Sequence, residues 1–277
     1  MRSRRNETER NIGIVCKEKK MEISKEKILE KALELAGILE IPQSEIEKIK
    51  ENLGSRYCAP EITKEAAAQA IDHTILSFNA GKDDLLRICE EAKKYGFKAV
   101  CINPVWVKTA FQFRRENNAA FKIATVIDFP LGASTAAAKQ AESAAAAVDG
   151  ADEIDVVINI GLLKSKMFKE CFELLKSTMK TKAYIKVILE TSELSEDEKI
   201  YAALIAVFAG ADMLKTSTGV NGKAAVDDVR LLRTVAGNRL GVKAAGGIRD
   251  KETLVAMMNA GADRIGCSSS VSIMEKW

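Results

Sequence analysis

The sequence predicts an α/β fold, a (β/α)8 TIM barrel with an N-terminal helical extension, and three observations carry that expectation. From about residue 70, short β-rich runs alternate with helical segments, which demands crossover connections and therefore a parallel sheet. The tripeptide Gly-Ala-Asp recurs at 150–152, 210–212 and 261–263, each time after an Ala-rich or apolar helix and before a strand. Counting a short first strand near Ala70-Ile71-Asp72-His73 gives eight strands, and residues 70–277 divided among them come to roughly 26 per unit, at the small end for this barrel. An open doubly wound sheet is the alternative. It should carry GxGxxG after its first strand, and no such turn follows residue 73 or 102.

Taken in order, residues 1–20 read as a disordered basic tail. Arg2, Arg4, Arg5, Arg10, Lys17, Lys19 and Lys20 stand among Glu7, Glu9 and Glu18 with no apolar stretch behind them. That is neither a secretory signal nor an acid-poor transit peptide, and Met21 offers an alternative start. Residues 21–60 read as a helical extension. A first helix spans about 22–41 and is stopped by Pro42; a second has Ser44 as N-cap, Ile46, Ile49 and Leu53 on one side, and Gly54 at its end. The extension packs either across the main domain, as a helical cap, or against a partner subunit.

Residues 61–277 form the barrel. Its clearest strands are 99–102, 122–127, 153–158 and 185–189, followed by short runs near 213–214, 241–242 and 264–265. Helices fall near 83–95, 135–149, 164–180, 195–209, 224–236 and 250–260. In each Gly-Ala-Asp, glycine ends the helix in a left-handed conformation and the small alanine lets the chain turn into the sheet.

Composition limits the function. In 277 residues, Lys plus Arg (42) nearly balances Asp plus Glu (39), so a net charge of +3 predicts no broad nucleic-acid or membrane surface. No apolar run approaches the ~18 residues needed to span a bilayer. Six scattered cysteines and one histidine, His73, fit free thiols in a reducing cytoplasm rather than a zinc site or a disulfide framework.

In such a barrel the chemistry sits at the C-terminal ends of the strands. Those ends collect Asp72, Thr74, Cys101, Asn103, Asp128, Asp155, Asn159, Glu190, Thr191, Lys215, Lys243, Ser268 and Ser269. Lys215 and Lys243 each close an apolar strand. Burial disfavours an isolated ammonium, and a neighbouring cation depresses its proton affinity further, which makes a neutral amine reactive towards carbonyls. Asp155, inside Ile154–Ile158, is costly unless paired with a cation or engaged in proton transfer. Gly246-Gly247 and the Gly266–Ser270 run follow the last two strands, where backbone N–H groups and serine hydroxyls suit a phosphate.

These residues resemble the 2-deoxyribose-5-phosphate aldolase family. The matching segments are 71–74, 100–104, 129–132, 151–161, 186–191, 214–219, 242–249 and 264–269, collinear over about residues 65–273. The resemblance implies a metal-independent class I aldolase that cleaves 2-deoxy-D-ribose 5-phosphate to D-glyceraldehyde 3-phosphate and acetaldehyde, with no cofactor. It implies Lys215 as the Schiff-base lysine, with Lys243 and Asp155 as proton donors and acceptors. It further implies Asp72, Thr74, Cys101 and Thr216 in the substrate pocket, and Gly219, Gly246, Gly247, Ser268 and Ser269 around the substrate phosphate. A homo-oligomer of two or four chains, in the cytoplasm, is implied as well.

The sequence departs from the family at several points. Asp128 precedes Phe-Pro-Leu-Gly where the family usually has an uncharged residue, an expected change at the pocket mouth. Val220 replaces a lysine or phenylalanine of some members, with Lys223 expected to supply charge instead. Some relatives end in a tail whose tyrosine assists proton transfer; here the final residue is Trp277, and the N-terminal fifty residues exceed many members. Another Schiff-base barrel and a phosphate-binding sensor are the competing readings; the joint presence of Asp155, Lys215 and Lys243 argues against both.

Overall fold

A computed structural model describes residues 24–54 and 61–277. The tail expected over 1–20, Cys16 and Cys58 lie outside the described residues, as do residues 55–60, beside the boundary placed at 60/61. Eight parallel strands form a closed barrel in sequence order. They are β1 (Ile71–Ile75), β2 (Ala99–Ile102), β3 (Lys122–Ile127), β4 (Glu153–Val157), β5 (Tyr184–Ile188), β6 (Met213–Lys215), β7 (Gly241–Ala245) and β8 (Arg264–Cys267). β1 pairs with β8, which closes the sheet.

The helices are α1 (Lys25–Leu39), α2 (Gln43–Asn52), α3 (Lys64–Ala70), α4 (Lys82–Tyr95), α5 (Val107–Glu116), α6 (Ala136–Asp149), α7 (Ile160–Lys164), α8 (Phe168–Thr178), α9 (Glu196–Ala209), α10 (Val226–Ala236), α11 (Lys251–Asn259) and α12 (Ser270–Glu275). Two expectations are corrected. The helix expected at 164–180 starts only at Phe168, because Lys166 turns left-handed at φ 57° and separates it from the short α7, Ile160–Lys164. Ser44 is not an N-cap: α2 starts at Gln43 behind Pro42, whose extended backbone caps it without a side-chain bond.

Side chains alternate between the two faces of each strand, and the alternation separates two environments. Val100, Ile102, Ile123, Ile154, Val156, Ile185, Val187, Leu214, Val242 and Ile265 face the helices and join one large core. Ala99, Cys101, Ala124 and Val126 form a small separate cluster with Leu76 and Phe129. Asp72, Glu153, Asp155, Lys186, Lys215, Lys243 and Arg264 are also buried and belong to neither cluster. The barrel interior is thus apolar on β2 and β3 and charged on the remaining strands.

The N-terminal helices share the outer core. Ile28, Ala32 and Leu35 of α1 are fully buried with residues of α8 and α9, and Lys27 and Lys31 pair with Asp197 at 2.7 and 3.0 Å. Packing across the barrel is therefore the mode this chain adopts for α1.

Each Gly-Ala-Asp turn contains a device beyond its glycine. Gly150, Gly210 and Gly261 all have positive φ. The aspartate then exchanges bonds with the strand before it. Asp152, Asp212 and Asp263 accept from the N–H of Ile123, Ile185 and Val242 at 2.7–2.8 Å, and their own N–H groups donate to the carbonyls of those residues. β3 is thereby tied to β4, β5 to β6, and β7 to β8, at the face opposite the strand C-termini.

Candidate active site

The buried charges meet at Asp155. Lys215 and Lys243 are register partners on β6 and β7, and Asp155 is paired with Lys186 across β4 and β5. Lys215 Nζ and Lys243 Nζ both donate to Asp155 Oδ2 at 2.8 Å, while Lys186 Nζ donates to Oδ1 at 2.7 Å. Lys215 is 2% exposed; Lys186, Lys243 and Asp155 are fully buried. Gly266 on β8 gives Lys243 its space, since a Cβ there would meet Lys243 Cε at 3.1 Å.

The three lysines differ in proton affinity. Burial lowers that of Lys215, and Lys243 lowers it further, outweighing the attraction of Asp155. For Lys243, burial is outweighed by Asp155 and Asp72, and it rises above the ordinary lysine value. Lys186 rises likewise, through Asp155, Asp72 and Glu153. Burial works to raise Asp155, but Lys186, Lys215 and Lys243 together hold it well below the carboxylate range. Among three neighbouring amines, only Lys215 is driven towards the neutral form.

Lys215 opens onto a cavity of about 420 Å³ at the C-terminal mouth. Its walls include Thr74, Phe129, Gly219, Val220, Gly246, Gly247, Arg249 and Ser268. Gly246 (φ 107°) could not be replaced without strain, and an added Cβ would sit 2.8 Å from the Gly222 carbonyl. Expected pocket residues Thr74, Gly219, Gly246, Gly247 and Ser268 therefore line one space with the Lys215 amine.

The other expected residues lie around this cavity. Asp72 is fully buried, with Oδ1 taken by Arg264 and Oδ2 by Lys243. The Thr216 hydroxyl is occupied across strands, donating to the Ala245 carbonyl and accepting from its N–H, both at 3.0 Å. Cys101 is buried behind the amines, and its thiol is raised by that burial. Ser269 precedes α12 as its cap residue.

Two departures take on a different meaning. The Asp128 carboxylate turns away from the mouth to pair with buried Lys139 at 2.9 Å and accept the Ser134 hydroxyl at 2.7 Å. It secures the loop bearing Phe129 and its cis peptide to Pro130. The Lys223 stem lies against Gly247, where an added Cβ would meet its Cγ at 2.8 Å. Sequence reasoning passed over Lys186, Glu153 and Arg264. The available signal was a charge inside a strand, as in Ile185-Lys186-Val187, the same signal that exposed Asp155.

The pattern of the DeoC/LacD family aldolases matches residues 66–272. The chain is 49% identical over 219 residues to the deoxyribose-phosphate aldolase of Thermococcus kodakarensis, covering 77% of this chain and 98% of that protein. It is 48% identical over 216 residues to the enzyme of the same name from Caldanaerobacter subterraneus subsp. tengcongensis, covering 76% and 93%. The crystal structure of a putative deoxyribose-phosphate aldolase from Coccidioides immitis superposes with a TM-score of 0.77 at 36% identity, over 90% of this chain and 97% of that one. The deoxyribose phosphate aldolase from Aeropyrum pernix, described as having a unique tetrameric structure, gives 0.71 at 31% identity, over 91% and 97%. With its barrel, its cavity and these likenesses together, the chain belongs to the DeoC/LacD family of aldolases.

Proposed function

We propose that the chain cleaves 2-deoxy-D-ribose 5-phosphate reversibly to D-glyceraldehyde 3-phosphate and acetaldehyde, through an imine on Lys215. One observation carries the assignment: of the three amines around Asp155, the one of lowered proton affinity is also the one that lines the cavity. A neutral amine attacks the open-chain aldehyde, and uptake of one proton with loss of water leaves an iminium. The iminium at C1 draws electrons from the C2–C3 bond once the C3 hydroxyl gives up its proton and becomes the new aldehyde. Glyceraldehyde 3-phosphate departs and an enamine remains. Protonation of the enamine and hydrolysis free acetaldehyde and restore the amine.

Asp155 and Lys243 are suited to the proton steps. One carboxylate oxygen touches both amines, so a proton moves between them over hydrogen-bonding distance. Lys243, kept cationic by Asp155 and Asp72, also holds Lys215 neutral by repulsion. The glycine-rich turns at Gly219 and Gly246-Gly247, with Ser268 and Ser269, are proposed to hold the phosphate through N–H and hydroxyl donors. Asp72, Thr74, Cys101 and Thr216 are proposed to shape the pocket.

The direct test is borohydride reduction with acetaldehyde, followed by peptide mass spectrometry, beside an assay of glyceraldehyde 3-phosphate release. Label on Lys215 together with product release is expected; an unlabelled Lys215 in active protein refutes the assignment. We further propose a homo-oligomer of two or four chains acting in the cytoplasm. The Aeropyrum pernix tetramer supports the former, and sedimentation of the purified protein tests it. No helix among the described residues is long and apolar enough to cross a membrane.

A further inference from the structure

Two charged side chains beneath the amines have no task in that scheme. Glu153 lies two residues before Asp155 on β4 and so shares its face of the strand. Arg264 opens β8. They form a forked pair, with Arg264 Nη1 donating to Glu153 Oε1 at 3.2 Å and Nη2 to Oε2 at 2.9 Å. Contacts leave the pair in two directions. Arg264 Nε donates to Asp72 Oδ1 at 2.8 Å, and Asp72 Oδ2 accepts from Lys243. Glu153 Oε2 meets Lys186 Nζ at 2.6 Å, and Lys186 holds Asp155. Both routes end on Asp155 and therefore on Lys215.

The formal charges of this closed network do not balance. Lys186, Lys215, Lys243 and Arg264 face Asp72, Glu153 and Asp155, leaving one positive charge in excess. A buried excess charge is costly, and releasing one proton removes it. Arginine does not release its proton. Lys186 touches Glu153 and Asp155 and lies 3.6 Å from Asp72; Lys243 touches Asp72 and Asp155. Lys215 has one carboxylate partner, Asp155, and is the cation least held.

We propose that the Glu153–Arg264 pair is a positioning element that fixes the charge count of the barrel interior and thereby makes Lys215 the residue that gives up its proton. The remaining elements around Lys215 leave that count unaltered. β2 contributes Cys101, a thiol raised by burial, and β8 contributes Cys267, pushed up to about 11 by burial. β3 presents Ala124 and Val126. Glu190, beyond the end of β5, is turned onto the Thr218 N–H and hydroxyl, and Arg249 stands at the cavity mouth.

The inference rests on the imine assignment and is tested by the pH at which that imine forms. Full-length wild type, Glu153→Gln, Arg264→Gln and the double variant are reduced with borohydride at saturating acetaldehyde across pH, and label on Lys215 is quantified. Arg264→Gln removes the excess, so labelling should begin at higher pH. Glu153→Gln doubles it, so labelling should begin at lower pH. Each shift is expected to be roughly one pH unit, the size of one charge acting through an effective dielectric near 20. The double variant keeps the count and should return to the wild-type profile, as should Arg264→Lys.

Shifts in one direction, or unshifted profiles in variants with native circular dichroism, overturn the proposal. A purely structural role would lower the extent of labelling without this reversal of sign. Should Arg264→Gln fail to fold, Glu153→Gln decides: an onset unchanged or raised overturns the proposal. Absence of label in wild type instead refutes the imine assignment, so the two failures are distinct.

Discussion

Lys215 and Lys243 face each other across β6 and β7, and both donate to the same atom, Asp155 Oδ2, at 2.8 Å. Their other neighbours set their proton affinities apart. The one with a second carboxylate, Lys243, is raised in proton affinity, and the lowered one, Lys215, is the proposed nucleophile.

Lys215→Ala should lower turnover by at least ~10³-fold while the circular dichroism spectrum stays native, because the covalent step has no substitute. Steady-state release of glyceraldehyde 3-phosphate checks this.

Lys243→Leu removes the repulsion that depresses Lys215. The Lys215 proton then leaves at higher pH, so the onset of borohydride labelling should move upward. A profile identical to wild type would separate Lys243 from the tuning of Lys215.

Lys139 and Asp128 are a buried pair, and Lys139 is further bound to the Val157 carbonyl at 2.6 Å. Lys139→Met should destabilise by about 3–5 kcal/mol, since it strands a carboxylate in the interior. Asp128→Gly also relieves a left-handed backbone at φ 52°. The double variant should therefore lose less than the sum of the single losses in urea unfolding.

Gly246→Ala should raise KM for the phosphorylated sugar by roughly tenfold, about the worth of one charge-assisted hydrogen bond, with a smaller effect on kcat. Activity on unphosphorylated 2-deoxyribose should change little. An equal loss on both substrates would disconnect this turn from the phosphate.

His73 is buried against Phe97 and bonded to Glu91 at 2.7 Å. Burial lowers its proton affinity in the folded state despite Glu91. The unfolded chain then binds more protons below its own histidine pKa. The stability from this residue is present above about 6.5 and is lost as pH falls through the depressed folded value. Wild type should lose more urea resistance than His73→Gln between pH 8 and pH 5.

β2 and β3 were legible to the residue in the sequence, because strands covered on both faces read as predominantly apolar runs, here Ala99–Ile102 and Ile123–Ile127 with Thr125 the one polar residue. The late start at Phe168 was not, since Leu163, Met167 and Cys171 continue an i, i+4 spacing across Lys166. In the site, Lys215, Lys243 and Asp155 stood out as charges in apolar strands. Lys186, Glu153 and Arg264 carried the same mark, but attention to strand ends hid them one layer deeper. Nor could spacing reveal that Asp128 would turn towards Lys139, a contact made eleven residues along the chain by the start of α6.

The three aspartate exchanges divide the barrel unevenly. They bind β3–β4, β5–β6 and β7–β8, whereas Lys98 occupies the corresponding place before β2. Among the described residues no such aspartate exchange joins the neighbouring clasped pairs at that face. Opening the chain between α8 and β5, near residues 179–183, would leave every clasp whole and lie on the rim away from the mouth. That seam is where new termini belong in a circularly permuted enzyme.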